Sequence, residues 1–208
     1  MELLFVRHAL PERVEGFDGP ADPVLSEAGL HQARHLAEYL AFERIHAVFS
    51  SPMRRAVQTA EPVAERQAIE VVLADGIAEY DREAAEYIPV EQLKAEGHPT
   101  WQDVLAGRAH STLGIDPYAF REGVVEAVEA IVAEHPGQRV AAVCHGGVIN
   151  AYLSHILGID DPTGFFYPNY TSIHRVAAAR SGERSILSIN ETSHLRGTGL
   201  PIGLFGGS

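Results

Sequence analysis

The sequence predicts an α/β fold, a three-layer sandwich with a mostly parallel sheet, helices on both faces and a small helical cap insertion. Three observations carry that prediction. Short apolar runs at residues 3–6, 47–49, 70–73 and 139–144 alternate with longer stretches of helical periodicity. The first run, Leu3-Leu4-Phe5-Val6, has no polar alternation, which is how a strand covered on both faces reads. Three of the runs end abruptly in polar or charged residues: Arg7-His8, Ser50-Ser51-Pro52 and His145-Gly146-Gly147.

The elements follow in order. After the first strand, residues 10–25 are polar and rich in turn formers (Pro11, Gly16, Gly19, Pro20, Pro23), a loop long enough to suggest a functional role. Ser26 is an N-cap, and Leu30, Ala33, Leu36, Ala37 and Leu40 share one face of the helix it opens. The second strand ends at Ser50, and the next helix places Ala56, Thr59, Ala60 and Val63 together, with Pro62 expected to kink or break it. The third strand leads to Gly76 and then Glu79-Tyr80-Asp81. Residues 82–118 are broken by Pro89, Gly97, Pro99, Gly107, Gly114 and Pro117, and read as an inserted helical cap. Residues 120–134 form a helix with Val124, Val125, Val128, Ile131 and Val132 on its apolar stripe, stopped by His135-Pro136-Gly137. A strand to Cys144, a helix to Leu157-Gly158 and two late strands, a hairpin around Ser181-Gly182, complete the order. The glycine-rich stretch at 196–208 is expected to be loosely ordered.

At 208 residues the chain is read as a single domain large enough to bury its own core. Its formal charge of −12 argues against a nucleic-acid or anionic-membrane surface. An anionic substrate would need a local positive pocket. One cysteine, Cys144, excludes an internal disulfide and fits a reducing compartment. No apolar run approaches the roughly 20 residues that cross a bilayer, and the N-terminus lacks a basic region, so no signal peptide is expected. The expectation is therefore a cytoplasmic protein, with no membrane or nucleic-acid partner. Its oligomeric state is open, a homodimer among the options.

In open α/β sheets, ligands bind beyond the carboxyl ends of strands. Arg7 offers a planar fork suited to phosphate, and His8 beside it can be nucleophile, base or ligand, although the pair could also be an ordinary polar dipeptide closing a strand. Arg54-Arg55 stand at a helix start, and His145 leads a helix N-terminus, a natural anion site that Gly146 and Gly147 leave open to close approach. Cations, imidazoles and free amides converging on one crevice describe a phosphoryl pocket.

This pattern resembles the histidine phosphatase superfamily, the phosphoglycerate mutase-like fold. Arg7-His8-Ala9 stands for the family's Arg-His-Gly. Residues 51–60 match Ser-Pro-Leu-x-Arg-Ala-x-Gln-Thr-Ala with Met53 for leucine, and residues 141–147 match a strand followed by Ser/Thr-His-Gly-Gly. The run from Asp22 through Ser26, Gly29 and Gln32 to Ala33 is similar to the family's first helix entry. Asn169 to Ile173 is similar to its late Asn-x-Ser-Ile strand. The resemblance implies that His8 is the nucleophile, accepting the phosphoryl group as a phosphohistidine. Arg7, Arg55 and His145 would bind the phosphate, with the Gly146 amide as a further donor. Glu79 matches the proton donor to the leaving oxygen, with Asp81 as its competitor. It implies no cofactor and no metal, and a small phosphorylated substrate. An insertion shorter than in cofactor-dependent mutases favours a phosphatase. Mutase-type phosphoryl transfer, or a non-catalytic member that binds a phosphorylated ligand, are the alternatives.

Departures from the pattern raise specific expectations. Ala9 in place of glycine cannot use positive φ freely. Leu10-Pro11-Glu12-Arg13 replaces the family's usual polar loop, leaving Arg13 as a substitute phosphate contact. Arg54 reads as a solvated or rim residue. His31 and His35 could be half a metal site but fit better as a solvated helix face, and Cys144 as a buried small residue. Trp101 either lines the cleft or anchors the cap. Specificity is expected in residues 10–25 and 82–118.

Overall fold

The computed structural model describes residues 1–16 and 18–204. Among them, six strands form one sheet: β1 (Glu2–Arg7), β2 (Ala47–Ser50), β3 (Val71–Leu73), β4 (Arg139–Cys144), β5 (Ile173–Ala178) and β6 (Arg184–Glu191). Their order is β3-β2-β4-β1-β5-β6. The pairings β1–β4, β2–β4 and β2–β3 are parallel, while β5 and β6 add antiparallel to β1, so the sheet is mixed. The α-helices of the described residues are α1 (Glu27–Leu40), α2 (Arg54–Gln67), α3 (Val90–Glu96), α4 (Pro99–Leu105), α5 (Ala109–Thr112), α6 (Pro117–Glu134) and α7 (Gly146–Leu157).

The unbroken apolar run of β1 is explained by burial on two sides. Leu3 and Phe5 point to a core made with α6 and α7 through Val124, Val128, Ile131, Val148 and Tyr152. Leu4 and Val6, one residue out of phase, point to a second core made with α1 and α2 through Leu36, Leu40, Ala60 and Val63. Helices α1 and α2 follow β1 and β2 on one face, and α6 and α7 flank β4 on the other. The carboxyl ends of β1, β2 and β4 therefore open into one crevice. At the opposite end of β1 an ion-pair network ties the sheet together, with Arg175 bonded to Glu2, Glu43 and Glu191 and Arg139 to Glu2 and Glu43.

Pro62 and Pro117 show how context decides what a proline does. Pro62 neither breaks nor ends α2, which runs on to Gln67. It removes one backbone donor, and the burial of Ala60, Val63 and Ala64 holds the helix across the gap. Pro117 is not a breaker but the first residue of α6, where its fixed φ suits a helix start, and Asp116 caps the Tyr118 amide at 2.9 Å.

The stretch from residue 196 onward, expected to be loose, is anchored as far as Ile202. Gln32 Nε2 donates to the Pro201 carbonyl, and the Tyr170 amide donates to the Ile202 carbonyl at 3.0 Å. Residues 205–208 lie outside the described residues.

Ser26 caps α1 as its position suggested, accepting the Gly29 amide at 3.1 Å. Its hydroxyl also donates to the Leu10 carbonyl, and the Leu10 amide donates to Gln32 Oε1 at 2.8 Å, so the first turns of α1 clamp the chain two residues after His8. Gly29 is required for that approach, because a Cβ there would stand 2.0 Å from the Leu10 carbonyl oxygen. Gly29→Ala is expected to destabilise the protein by about 1–3 kcal/mol, as overpacking against backbone does. Urea denaturation of the two proteins would measure it, and an unchanged midpoint would contradict the clamp.

Candidate active site

Each strand end delivers its polar residues to the crevice. Arg7 closes β1 and His8 follows it, with the His8 amide donating to the Cys144 carbonyl at 2.9 Å. Ser51 follows β2, and Arg55 is the second residue of α2. His145 is the N-cap of α7, and Gly146 and Gly147 form its first turn, whose amides have no intrahelical acceptors. Glu79 arrives from the turn after β3. Arg7, His8, Arg55, Glu79, His145 and Gly146 thus come together, all the side chains among them buried. A cavity of about 940 Å³ is lined by all of these except His145. The His145 ring stands beside the cavity, 5.1 Å from that of His8.

His8 Nδ1 lies 2.7 Å from the Ala9 carbonyl. A carbonyl can only accept, so Nδ1 carries the proton and Nε2 keeps its lone pair. Burial, then the charges of Arg55 and Arg7, holds the His8 pKa well below its ordinary value of 6.5. The ring is neutral at physiological pH. Ala9 is itself fixed by its amide donating to Thr59 Oγ1 at 3.0 Å, which explains the threonine of the second motif. Gln58 of that motif accepts the Leu25 amide at 2.7 Å. Ala9 is not among the described non-glycine residues with positive φ (Ala68, Thr171, Asn190), so alanine costs nothing there.

Around His8 stand donors without protein partners: Arg7 Nε, Arg55 Nε and Nη1, and His145 Nδ1. His145 Nε2 meets Ser51 Oγ at 2.8 Å. When the hydroxyl donates to Nε2, the proton of the imidazole sits on Nδ1, the unpartnered nitrogen. Buried polar groups are nearly always satisfied, so four orphaned nitrogens in one place mark a site for an acceptor-rich anion. Neighbours orient the arginines. Arg7 Nη1 donates to the Pro168 carbonyl at 2.6 Å, with its guanidinium over the rings of Tyr170 (4.4 Å) and Tyr167 (4.8 Å). Arg55 Nη2 bonds Asp81 at 3.0 Å and its guanidinium lies over Tyr87 at 4.6 Å.

Glu79 sits opposite these cations. It accepts the Gly147 amide at 2.8 Å, and a Cβ on Gly147 would stand 2.2 Å from its Oε1, so only glycine admits the carboxyl here. Burial, with the nearby Asp81 charge adding to it, raises its pKa from 4.5 to about 7 against the pull of the Gly147 and Tyr80 amides and Arg55. The folded state therefore holds this proton more tightly than the unfolded chain, and stability falls as pH rises between 4.5 and 7. A shift of this size amounts to on the order of 3 kcal/mol. Glu79→Gln removes the penalty, so the variant is expected to melt several degrees above the native protein at pH 8 and close to it at pH 4. Calorimetry at the two pH values would show this, and a lower melting temperature at pH 8 would contradict it.

A family model for the histidine phosphatase superfamily (branch 1) matches residues 3–192. The chain belongs to that superfamily. Phosphoserine phosphatase 1 of Hydrogenobacter thermophilus is 29% identical to it over 206 residues, covering 94% of each chain. A phosphoserine phosphatase of Entamoeba histolytica, solved with phosphoserine, superposes with a TM-score of 0.72 at 22% identity, covering 93% of this chain and 98% of that one. A mycobacterial glucosyl-3-phosphoglycerate phosphatase superposes with a TM-score of 0.72 at 22% identity, covering 92% and 99%. At such identities the structural likenesses bear on the fold, which is the α/β sandwich the histidine phosphatase motifs implied.

Several expected contacts are placed elsewhere. Arg13 is taken up by Glu15 and Glu96, both at 2.6 Å, and does not reach the crevice. Arg54 is exposed, its amide donating to Asp22. No lining residue comes from the described part of 10–25, whereas Trp101 lines the cavity together with α3, α4 and α5. His31 is exposed and His35 half-buried, and no three described His, Cys, Asp or Glu residues are placed to hold a metal ion. Cys144 is buried. No described helix is long and apolar enough to cross a membrane. Sequence reasoning passed over Tyr80, Tyr87, Tyr167 and Tyr170, although Tyr170 falls within the segment 169–173 already matched to the family.

Proposed function

We propose that the protein hydrolyses phosphomonoesters of small molecules by way of a phosphohistidine on His8. The observation that carries this reading is the set of orphaned donors on Arg7, Arg55 and His145 around an imidazole whose Nδ1 proton is committed to a carbonyl. In the first step His8 Nε2 attacks phosphorus, the ester P–O bond breaks, and Glu79 gives its proton to the departing alkoxide. In the second step Glu79, now a carboxylate, takes a proton from water, the hydroxide forms a P–O bond, the P–N bond breaks and inorganic phosphate leaves. Charge on the three non-bridging oxygens is met throughout by the guanidinium groups, His145 Nδ1 and the amide of Gly146. Asp81 positions Arg55 and raises the Glu79 pKa, so the proton donor is Glu79 and not Asp81. None of these steps needs a metal.

The test is release of inorganic phosphate from a simple phosphomonoester in the presence of a chelator, with competitive inhibition by orthovanadate. Isomerisation of phosphoglycerate without phosphate release would instead show a mutase. Vanadate binding without turnover would show a ligand-binding protein.

A further inference from the structure

The cavity has two chemically different parts. Its inner part holds His8 and the orphaned nitrogens of Arg7 and Arg55. In its outer part several polar side chains are already engaged. Asn150 donates to the Gly146 and Phe166 carbonyls and accepts the Phe165 and Phe166 amides. Asp103 pairs with Arg108 at 2.8 Å, and the Thr163 hydroxyl donates to Asp161 at 2.7 Å. The remaining charged side chains of this part, Glu86 and Lys94, are solvent-exposed. Much of the wall is Tyr80, Trp101, Val104, Leu105, Leu113 and Phe165. Leu105 and Leu113 are 62% and 44% exposed, more apolar surface than a closed core would leave.

His110 departs from this pattern. It is 4% exposed, its ring lies against Tyr80 with centroids 3.9 Å apart, and it lines the cavity. Its Nε2 is buried without a hydrogen-bond partner.

Resting on the phosphatase reading above, we propose that the outer cavity receives the body of a phosphomonoester whose alcohol is bulky, ring-bearing and largely apolar, and that His110 selects it by bonding one neutral polar atom of that body. Serine or glycerate would set an ammonium or carboxylate against largely aromatic and aliphatic walls, whose charged groups Glu86 and Lys94 are solvent-exposed, at the cost of desolvating a charge without a buried partner. A cavity of about 940 Å³ is also of the size that encloses a ligand far larger than these. Burial lowers the His110 pKa, so the ring is neutral and suits a hydroxyl or carbonyl. An unsatisfied buried nitrogen discriminates strongly between an ester that bonds it and one that does not.

Three primary-alkyl monoesters with similar leaving groups test this: phosphoserine, 2-phenylethyl phosphate and 2-(4-hydroxyphenyl)ethyl phosphate. The phenylethyl ester is expected to exceed phosphoserine in kcat/KM by about tenfold or more, and the added hydroxyl to raise it again, through KM. His110→Phe keeps a ring on Tyr80 and removes only the nitrogens, so the advantage of the hydroxyl should disappear. Phosphoserine hydrolysed as well as the phenylethyl ester overturns the substrate class and leaves the phosphatase reading standing. A hydroxyl advantage absent from the native protein, or undiminished in His110→Phe, overturns the part given to His110. Failure to hydrolyse any of the three overturns both readings.

Discussion

His8→Ala is expected to lower kcat on every phosphomonoester by about 10⁴-fold or more, the scale seen when a nucleophile acting as part of a unit is removed. No neighbouring group can take over. His145 Nε2 is engaged by Ser51, and the nitrogen facing the anion carries the proton needed to bind it. Binding should survive the change, because Arg7, Arg55, His145 and Gly146 keep their positions. The affinity for inorganic phosphate is therefore expected to stay within about tenfold, less than the loss of one charge-assisted contact would change it. Steady-state kinetics and a binding titration on the same preparation would separate the two quantities. Residual activity near the native level, or loss of phosphate binding in a folded variant, would contradict the assignment.

Glu79→Gln should lower kcat/KM, which reports the first step alone, on an alkyl phosphate by about 10²–10⁴-fold, the usual worth of a general acid. The loss should be far smaller on 4-nitrophenyl phosphate, whose departing oxygen needs no proton. The acid form is the active one in the first step, and it titrates near pH 7 in the free protein. For alkyl esters kcat/KM is thus expected to fall as pH rises through about 7, and the Glu79→Gln variant should lack that limb. Equal losses on both esters would assign Glu79 a structural part instead, and a shared loss in Asp81→Asn but not Glu79→Gln would reassign the proton.

What could be read from the sequence follows from locality. Arg7 and His8 adjoin a strand whose four apolar residues announce it, and Arg55 and His145 sit at helix starts set by Pro52 and by the glycine pair. Each needed only a neighbouring element and parallel strand order to place it. The outer cavity needed more. Tyr87 reaches Arg55 from the loop before α3, Tyr167 and Tyr170 reach Arg7 from the loop before β5, and Tyr80 meets His110 from α5. These contacts join segments about 30 to 160 residues apart whose loops carry no periodicity. Arg13 was misplaced for the same reason: its position two residues before Glu15 was visible, but its approach to Glu96 on α3 was not. Pro62 shows the converse, a strong local signal overruled by packing on both sides of it. The raised pKa of Glu79 comes from burial and from Asp81, surroundings that only the assembled fold supplies.

The most direct measurement is to mix the protein with a ³²P-labelled phosphomonoester, quench in alkali, where phosphohistidine survives, and map the label. The expected result is one labelled peptide, containing His8, with phosphorus on Nε2, and no label in His8→Ala. Label on another residue, or rapid turnover with no labelled protein at any quench time, would contradict the account.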